Sequence, residues 1–333
     1  MRKFQVIIIF LIALLLVVTP SCGNSTPTIS KLSKIRLVGT IGPLSIPLAY
    51  MVEHNSLASV ADETTLEIWA NPTQLQAIIT GGQADFISLP TNSAALFYNR
   101  GIPLQLLDSS IWNILYLITT DTTITSVTDL NGKSVVVPYQ GAVPDAIFRV
   151  VLKQNSIDPD SDIEIIYAPD PVQGSQMLLT GEDQYAILSE PSATSVINKG
   201  QSSGKSFIRA LNMGMEWQKA TGKAAPTPVA GTIVIGNIKD RPDVINVFLS
   251  EYEKAVKWML ANPMEAGEVG ARALAEQGFS AGVLTQSMQN IDWEFVPAQD
   301  ARLEIEAFFN ALAGISPNFI GGKLPDDGFY YRK

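Results

Sequence analysis

The sequence contains the same order of predicted strands and helices twice, about 100 residues apart. The first copy begins with the apolar strand Lys34–Val38 and the second with Ser134–Val137. Strand–helix units recur in any α/β protein, but here the turn and capping residues also keep a common spacing. The equivalent positions are Gly42 and Gly141, Asn71 and Asp170, and Pro72 and Pro171. Because alternating strands and helices predict parallel sheets flanked by helices, the repeat indicates two similar α/β lobes.

Two apolar segments are candidates for the crossings between the lobes. Ile111–Thr120 lies between the two copies, and Pro228–Gly236 follows the second copy. The region from Asp240 to Gly314 has helical periodicity and is predicted to pack back on the first lobe. We therefore predict an α/β fold with two lobes, each a mainly parallel sheet flanked by helices, and two interlobe crossings. The predicted lobes are residues 34–115 with 233–333 for the first, and residues 116–232 for the second.

The N-terminus has the pattern of an export signal. Arg2 and Lys3 precede an apolar run from Val6 to Val18, which is shorter than the roughly twenty residues that a spanning helix needs. Cys22, the only cysteine, lies just after this run, as in a bacterial lipoprotein signal, where the cysteine is lipidated after cleavage. A plain signal peptide with an incidental cysteine is the alternative. The predicted segments are a signal peptide over residues 1–21 and a lipidated cysteine with a flexible tether over residues 22–33.

Composition excludes several classes of function. Of the 333 residues, 17% are charged and 46% are hydrophobic, which excludes a disordered chain. The net charge of −9 provides no basic field for nucleic acid. One cysteine and one histidine exclude an internal disulfide, a multi-thiolate metal site and a histidine-rich metal cluster. We therefore expect no cofactor, no metal ion and no nucleic-acid partner.

Candidate ligand-binding loops follow the first strand of each copy. In open parallel sheets, ligands bind beyond the carboxyl ends of the strands, where helix N-termini offer free backbone N–H groups. The loops Gly39–Ser45 and Tyr139–Val143 occupy this position. Gly42 and Gly141 within them either let the backbone approach a ligand closely or only make turns.

Polar and aromatic residues near the other strand ends are further candidates. Asn71, Thr91 and Asn92 could contact a ligand or cap their own helices, and helix capping is the simpler interpretation for Asn71. Glu190 could accept a hydrogen bond from a ligand or from the neighbouring loop. Flat aromatic rings could stack on a planar ligand, although Trp112 could instead pack in the hinge core. The predicted ligand-binding residues are Gly42, Pro43, Leu44, Ser45, Trp69, Asn71, Thr91, Asn92, Trp112, Tyr139, Gln140, Gly141, Ala142 and Glu190.

Two stretches of the second copy resemble a known family. They are DLNGKSVVVP (129–138) with GAVPDAIFR (141–149), and QGSQMLLTG (173–181) with YAILSEP (185–191). These motifs resemble the nitrate/sulfonate/taurine-type substrate-binding proteins of ABC importers, which have relatives that bind thiamine-pyrimidine precursors. The resemblance covers about Ile35–Gly314 and implies the type II periplasmic-binding-protein fold, closing on a small molecule that is handed to a permease. It also implies that the loops Gly39–Ser45 and Tyr139–Val143 hold the anionic group of the ligand through backbone amides.

The resemblance implies a binding protein and not an enzyme. We expect an exported substrate-binding lipoprotein of an ABC importer, anchored by lipid at the outer face of a bacterial cytoplasmic membrane or free in the periplasm. It would act as a monomer, with a small-molecule ligand and an ABC permease as partners. A lipoprotein that senses a ligand for a membrane receptor and an enzyme of the same fold acting on a small planar substrate are the alternatives. The candidate residues favour a small planar or zwitterionic organic ligand over a bare inorganic anion.

Overall fold

The computed structural model describes residues 30–222 and 227–333. The predicted signal peptide, Cys22 and the part of the predicted tether before residue 30 lie outside these ranges. Within the described ranges, no helix is both long enough and apolar enough to cross a membrane.

Strands and helices alternate through most of the described chain. The strands are β1 Leu32–Thr40, β2 Ala61–Trp69, β3 Phe86–Pro90, β4 Leu104–Leu106, β5 Asp108–Asn113, β6 Leu115–Thr119, β7 Ser134–Pro138, β8 Glu164–Ala168, β9 Tyr185–Ser189, β10 Ile208–Asn212, β11 Ala230–Ile235 and β12 Asp292–Pro297. The α-helices are α1 Ser45–Glu53, α2 Pro72–Thr80, α3 Thr91–Asn99, α4 Val143–Gln154, α5 Pro171–Thr180, α6 Ser192–Ser202, α7 Met213–Thr221, α8 Pro242–Ala261, α9 Pro263–Ala273, α10 Ala281–Ser287 and α11 Arg302–Ile315. Short 3₁₀ helices cover Val127–Leu130, Gly236–Asp240, Ala275–Gln277, Met288–Asn290, Pro317–Ile320 and Asp327–Phe329.

Helices α2 and α5 begin in the same way, as the sequence repeat predicts. The Asn71 side chain accepts a hydrogen bond from the Gln74 N–H at 3.0 Å. The Asp170 side chain accepts the equivalent bond from the Gln173 N–H at 2.8 Å. A proline follows each cap at the start of the helix, where its fixed φ is favourable. Equivalent residues of the two copies therefore start equivalent helices.

The two copies form two sheets with the same central order. The first sheet runs β12-β5-β11-β3-β1-β2, with β4 beside β11, and the second runs β10-β6-β9-β7-β8. In each sheet the three strands of the repeat are parallel, β3-β1-β2 in one and β9-β7-β8 in the other. The next strand, β11 or β6, is antiparallel to them. The predicted two-lobed α/β fold is confirmed, with one correction: the added antiparallel strands make both sheets mixed and not mainly parallel.

The chain passes between the sheets at Ile114. This residue separates β5, which belongs to the first sheet, from β6, which belongs to the second. The return lies before Ala230, because β11 belongs wholly to the first sheet. The predicted lobe limit between residues 232 and 233 falls inside this strand.

The C-terminal region packs on the first lobe, as predicted, but it is not entirely helical. Helices α8 and α9 contact α1. The prediction of a helical region from Asp240 to Gly314 is wrong at β12, which pairs antiparallel with β5 at the edge of the first sheet. Burial alternates along β12, with Trp293 and Phe295 half-buried and their neighbours Asp292 and Glu294 exposed. Burial with a period of two is typical of a strand that has one covered face. In the sequence this alternation covers only a few residues, so the helical periodicity on both sides of it dominates the prediction.

A buried polar cluster lies where β5 and β11 meet. An added Cβ on Gly231 would lie 1.9 Å from the Asp108 carbonyl oxygen, so only glycine permits this approach. The Asp108 side chain is completely buried, and its carboxylate accepts hydrogen bonds from the Ser110 hydroxyl at 2.6 Å and from the Thr232 hydroxyl. A carboxyl group therefore sits in the core of the first lobe, close to the first crossing.

The end of the chain completes the first lobe. The Asn99 side chain, at the end of α3, donates hydrogen bonds to the Ile320 and Lys323 carbonyls, both at 2.6 Å. The Tyr331 N–H donates to the Leu106 carbonyl of β4 at 2.9 Å. Helix α3 and strand β4 are thus held by residues more than two hundred positions later in the sequence.

Candidate functional site

A cavity of about 210 Å³ lies between the two sheets. Residues that follow β1, β2 and β3 line it from the first lobe, and residues that follow β7 and β9 line it from the second. Ile111, Ile114 and Leu115 of the first crossing contribute to its wall. The cavity therefore occupies the carboxyl ends of the parallel strands, where α/β sheets place their ligands.

The loop after β1 forms part of the first-lobe side. The Ser45 hydroxyl donates to the Thr40 carbonyl at 2.6 Å and thereby closes the loop. The Trp69 Nε1–H donates to the Ser88 carbonyl at 3.1 Å, which orients the indole ring beside this loop. The Gly42 N–H makes no hydrogen bond to any other residue of the described ranges. Because Gly42 also lines the cavity, we expect this N–H group to be accessible to a ligand.

In the loop after β7, a backbone amide already donates a hydrogen bond to a carboxylate of the protein. Gly141 has a φ of +77°, and its N–H donates to the Asp145 carboxylate at 2.9 Å. Asp145 also accepts hydrogen bonds from Arg149 Nε at 2.9 Å and from the Tyr167 hydroxyl at 3.1 Å. An anionic group of a ligand would have to displace Asp145 to reach the Gly141 amide. This loop therefore offers an anion fewer amides than the family resemblance implies.

Two aromatic side chains meet across the cleft. The ring centroids of Trp69 and Tyr139 are 6.2 Å apart, with an angle of 46° between the rings. The Tyr139 hydroxyl donates to the Ala70 carbonyl at 3.1 Å, which connects the second lobe to the first. Burial raises the pKa of Tyr139 above its ordinary value, and the charge of Asp170 acts in the same direction. The hydroxyl therefore stays protonated and able to donate this bond.

Tyr139→Phe is expected to shift the protein toward an open form. The variant keeps the ring and loses one interlobe hydrogen bond, worth about 1 kcal/mol, so the equilibrium constant for closure should fall about fivefold. Small-angle scattering of the ligand-free protein should report a larger radius of gyration. Tyr98→Phe is the matched control, because it loses a tyrosine hydrogen bond to Asp326 that lies within the first lobe. Identical scattering from the two variants would contradict a closing role for Tyr139.

Glu190 lines the cavity, but its carboxylate is bound within the protein. It accepts hydrogen bonds from Arg209 Nε at 2.9 Å and from the Thr194 N–H at 3.1 Å. Burial raises the pKa of Glu190, and the charge of Arg209 opposes this rise.

In the described ranges, no group of three or more His, Cys, Asp or Glu residues could hold a metal ion.

Nine of the fourteen predicted ligand-binding residues line the cavity, and five do not. The nine are Gly42, Pro43, Leu44, Trp69, Tyr139, Gln140, Gly141, Ala142 and Glu190. Each of the other five has one side-chain atom bound to a backbone group: Ser45 Oγ to the Thr40 carbonyl, Asn71 Oδ1 to the Gln74 N–H, Thr91 Oγ1 to the Pro228 carbonyl, Asn92 Nδ2 to the Phe319 carbonyl and Trp112 Nε1 to the Glu294 carbonyl. The Asn92 Oδ1 atom is buried and has no hydrogen-bond partner in the described residues. Contact of these five residues with a ligand stays a prediction.

Sequence reasoning missed the helix faces that line the cavity. These residues are Pro72, Leu75 and Gln76 on α2, and Ser93, Leu96 and Phe97 on α3 with Arg100 just after it. Their spacing of three and four residues is typical of one helix face. The same spacing marks a face packed on a core, so the sequence alone does not separate the two cases.

The comparisons with known proteins support the fold. Residues 64–168 match the family model described as NMT1/THI5 like. An ABC transporter protein from Parabacteroides distasonis is 22% identical with a TM-score of 0.72, covering 91% of this chain and 100% of that one. The periplasmic aliphatic sulphonate binding protein SsuA from Escherichia coli is 14% identical with a TM-score of 0.70, covering 91% of this chain and 93% of that one.

A third solved structure is more distant. The periplasmic nitrate-binding protein NrtA from Synechocystis PCC 6803 is 14% identical with a TM-score of 0.62, covering 86% of this chain and 82% of that one. No curated protein matches this chain in sequence. Residues 64–168 thus resemble the NMT1/THI5 like family model, and the chain has the two-lobed fold of the type II periplasmic binding proteins.

Proposed function

We propose that this protein is the extracytoplasmic substrate-binding component of an ABC importer, which captures a small organic molecule between its lobes and delivers it to a membrane permease. The main support is the position of the cavity. It lies at the carboxyl ends of the parallel strands of both sheets, and residues of both lobes line it. Solved structures with a similar fold include an ABC transporter protein and periplasmic sulphonate- and nitrate-binding proteins. Apolar side chains dominate the lining, which favours an organic ligand over a bare inorganic anion.

Closure of the two lobes would be the functional motion. The ligand would contact residues of both lobes only in the closed form, so binding would shift the population toward closure. We propose that the chain bends at Ile114, which separates strands of the two sheets, and at the start of the Pro228–Gly236 segment, before β11 begins at Ala230. We propose the division into lobes that the sequence predicts, 34–115 with 233–333 and 116–232, with one change. The limit at 232/233 moves to the start of β11, which gives 230–333 and 116–229.

Binding without catalysis fits the position of the single histidine. His54 is exposed at the C-terminal end of α1, where its Nδ1 lies 3.0 Å from the Tyr50 carbonyl and its ring stacks on Tyr50. The cavity contacts the loop at the opposite end of the same helix. The one imidazole is therefore remote from the candidate site, and we propose that the protein performs no chemical step.

Cys22→Ser is expected to release the protein from the membrane. We propose that the signal peptide ends at Ser21 and that Cys22 carries the lipid anchor, because the cysteine follows the apolar run of the export signal. In cell fractionation, the wild-type chain should sediment with membranes and the variant should remain soluble. A Ser21→Ala variant, one position earlier, is the control and should stay with the membranes. A wild-type protein that is already soluble would reject the anchor.

A thermal-shift screen tests the binding role itself. The ligands would include sulfonates, nitrate, bicarbonate, pyrimidines, flavins and amino acids. A ligand at a hundred times its dissociation constant adds about 2.7 kcal/mol of stability, which shifts Tm by several degrees. Deletion of the gene should then abolish uptake of the molecule that binds. Undisturbed uptake together with a lost transcriptional response would replace import by sensing.

A further inference from the structure

The cavity does not end at the cleft between the lobes. Its lining extends into the first lobe along helices α2 and α3, and the space between these lining residues is here called the slot. On α3 the lining positions are Ser93, Leu96 and Phe97, followed by Arg100. On α2 they begin at Pro72, the first helical residue. Since both helices start at the cleft, the slot leads from the cleft along their axes.

The dimensions and lining of the slot suit an elongated apolar group. Ser93 and Arg100 are seven residues apart, which corresponds to about 10 Å along a helix axis at about 1.5 Å per residue. Between them the walls are formed by the apolar side chains of Leu75, Leu96 and Phe97. Leu75 and Phe97 are buried and Leu96 is half-buried.

The charges near the cavity favour an anionic group at the outer end of the slot. Arg100 is exposed there, and its guanidinium makes no ion pair or hydrogen bond with any other residue of the described ranges. On the second-lobe side of the cavity, the Gly141 amide donates its hydrogen bond to the Asp145 carboxylate. Glu190, also in the second lobe, already neutralises Arg209. At the second-lobe loop a ligand anion would therefore find the Gly141 amide occupied by Asp145, which is itself paired with Arg149. Arg100 instead offers a cation without a partner in the described residues.

We propose that the ligand is an organic acid with an elongated apolar body, which lies between α2 and α3 with its acidic group paired to Arg100. This inference rests on the proposed binding function and specifies its substrate class. It differs from the family resemblance, which places the anion at the loops after β1 and β7. Arg100 is then a specificity-determining residue of the first lobe.

Calorimetry with a homologous series tests this assignment. The probes are straight-chain carboxylates from butanoate to octanoate and the primary amides of the same chain lengths. They are titrated into the processed protein, purified from the cells that produce it. Each added methylene group should raise affinity about fourfold, because the slot removes it from water. Each carboxylate should bind about tenfold tighter than its amide, because only the carboxylate forms a charge-assisted hydrogen bond with Arg100.

Two variants separate the charge from the slot. Arg100→Gln should abolish the preference for carboxylates and leave the dependence on chain length unchanged. Arg332→Gln is its control, since Arg332 is an exposed arginine that does not line the cavity. Leu96→Trp should fill the slot and remove the dependence on chain length. If Leu96→Trp melts below the wild type, Gln76→Trp obstructs the slot from an exposed position on α2.

Two results would overturn the inference. One is equal affinity of the wild type for carboxylates and amides, and the other is an unchanged carboxylate preference in Arg100→Gln. The absence of binding by every member of the series would also overturn it. In that case, closure on another molecule from the thermal-shift screen would leave the binding function intact. The assignment of the ligand class and the assignment of the function therefore fail separately.

Discussion

Asp108→Asn is expected to raise the free energy of unfolding by about 4 kcal/mol above pH 7 and to leave it nearly unchanged at pH 4. Complete burial of Asp108 on β5 raises the pKa of its carboxyl group from 3.8 to about 7, although hydrogen bonds from Ser110 and Thr232 oppose the rise. The folded chain thus holds this proton more tightly than the unfolded chain does. The stability that this provides is fully present below pH 4 and is lost as the pH rises to about 7. Asparagine does not titrate and retains this stability at high pH.

Urea unfolding between pH 4 and pH 8 measures this effect. The wild-type stability should decline across the interval, and the difference between variant and wild type should grow with pH. Asp292→Asn is the matched control, because Asp292 is exposed on the neighbouring strand β12. Tyr252, whose pKa is raised by burial and by the nearby charge of Asp108, stays neutral throughout this range. If the free energy of unfolding depends on pH in the same way for Asp108→Asn and the wild type, the carboxyl group titrates alike in the folded and unfolded states, which would contradict the prediction.

Gly141→Asp is expected to lower ligand affinity by at least about a thousandfold, or about 4 kcal/mol. Gly141 lines the cavity, and no atom lies within 4 Å of an added Cβ, so the new side chain fits at the cavity wall without a clash. There it would lie close to Asp145, whose carboxylate already accepts the Gly141 N–H. An additional negative charge in a largely apolar cavity repels an acidic ligand and costs desolvation energy when a neutral one binds.

A second glycine separates binding from backbone strain. Gly204 has a φ of +78°, close to the +77° of Gly141, and also has open space around an added Cβ. It lies after α6 and does not line the cavity. Gly141→Asp and Gly204→Asp should therefore lose similar stability, about 1 kcal/mol, because a side chain is disfavoured at positive φ. Only Gly141→Asp should lose binding of the molecule found in the screen, and retained affinity would remove the loop after β7 from the site.

The repeat predicts much of the fold because caps and turns are local features. Asn71 and Asp170 start equivalent helices in the structure, and the strands around them occupy equivalent places in the two sheets. Strand β12 was not predicted, because six residues with a covered face carry a weak signal inside a long helical pattern. Its pairing with β5 depends on a contact between residues nearly two hundred positions apart, which no local pattern encodes.

The candidate site was predictable only where a general rule relates sequence to position. Loops after parallel strands face the ligand in this architecture, and the loops around Gly42 and Gly141 line the cavity. Polar residue type was a poorer guide, since Thr91 and Asn92 use their side chains to hold distant backbone carbonyls. The role of Asp145 was missed, because its occupation of the Gly141 amide depends on the exact path of the loop.

The bracing of α3 and β4 by the chain's end affects the order in which the protein can be made. The second sheet uses only strands between residues 115 and 212, so all its strands are made before β11 and β12 of the first sheet. The first sheet requires β12, and its partner contacts extend to Tyr331. A chain that emerges N-terminus first, from a ribosome or through a membrane pore, can therefore finish its second lobe while the first is still open. Residues as late as Tyr331 close the first lobe, so the ligand cavity can form only after these residues have emerged.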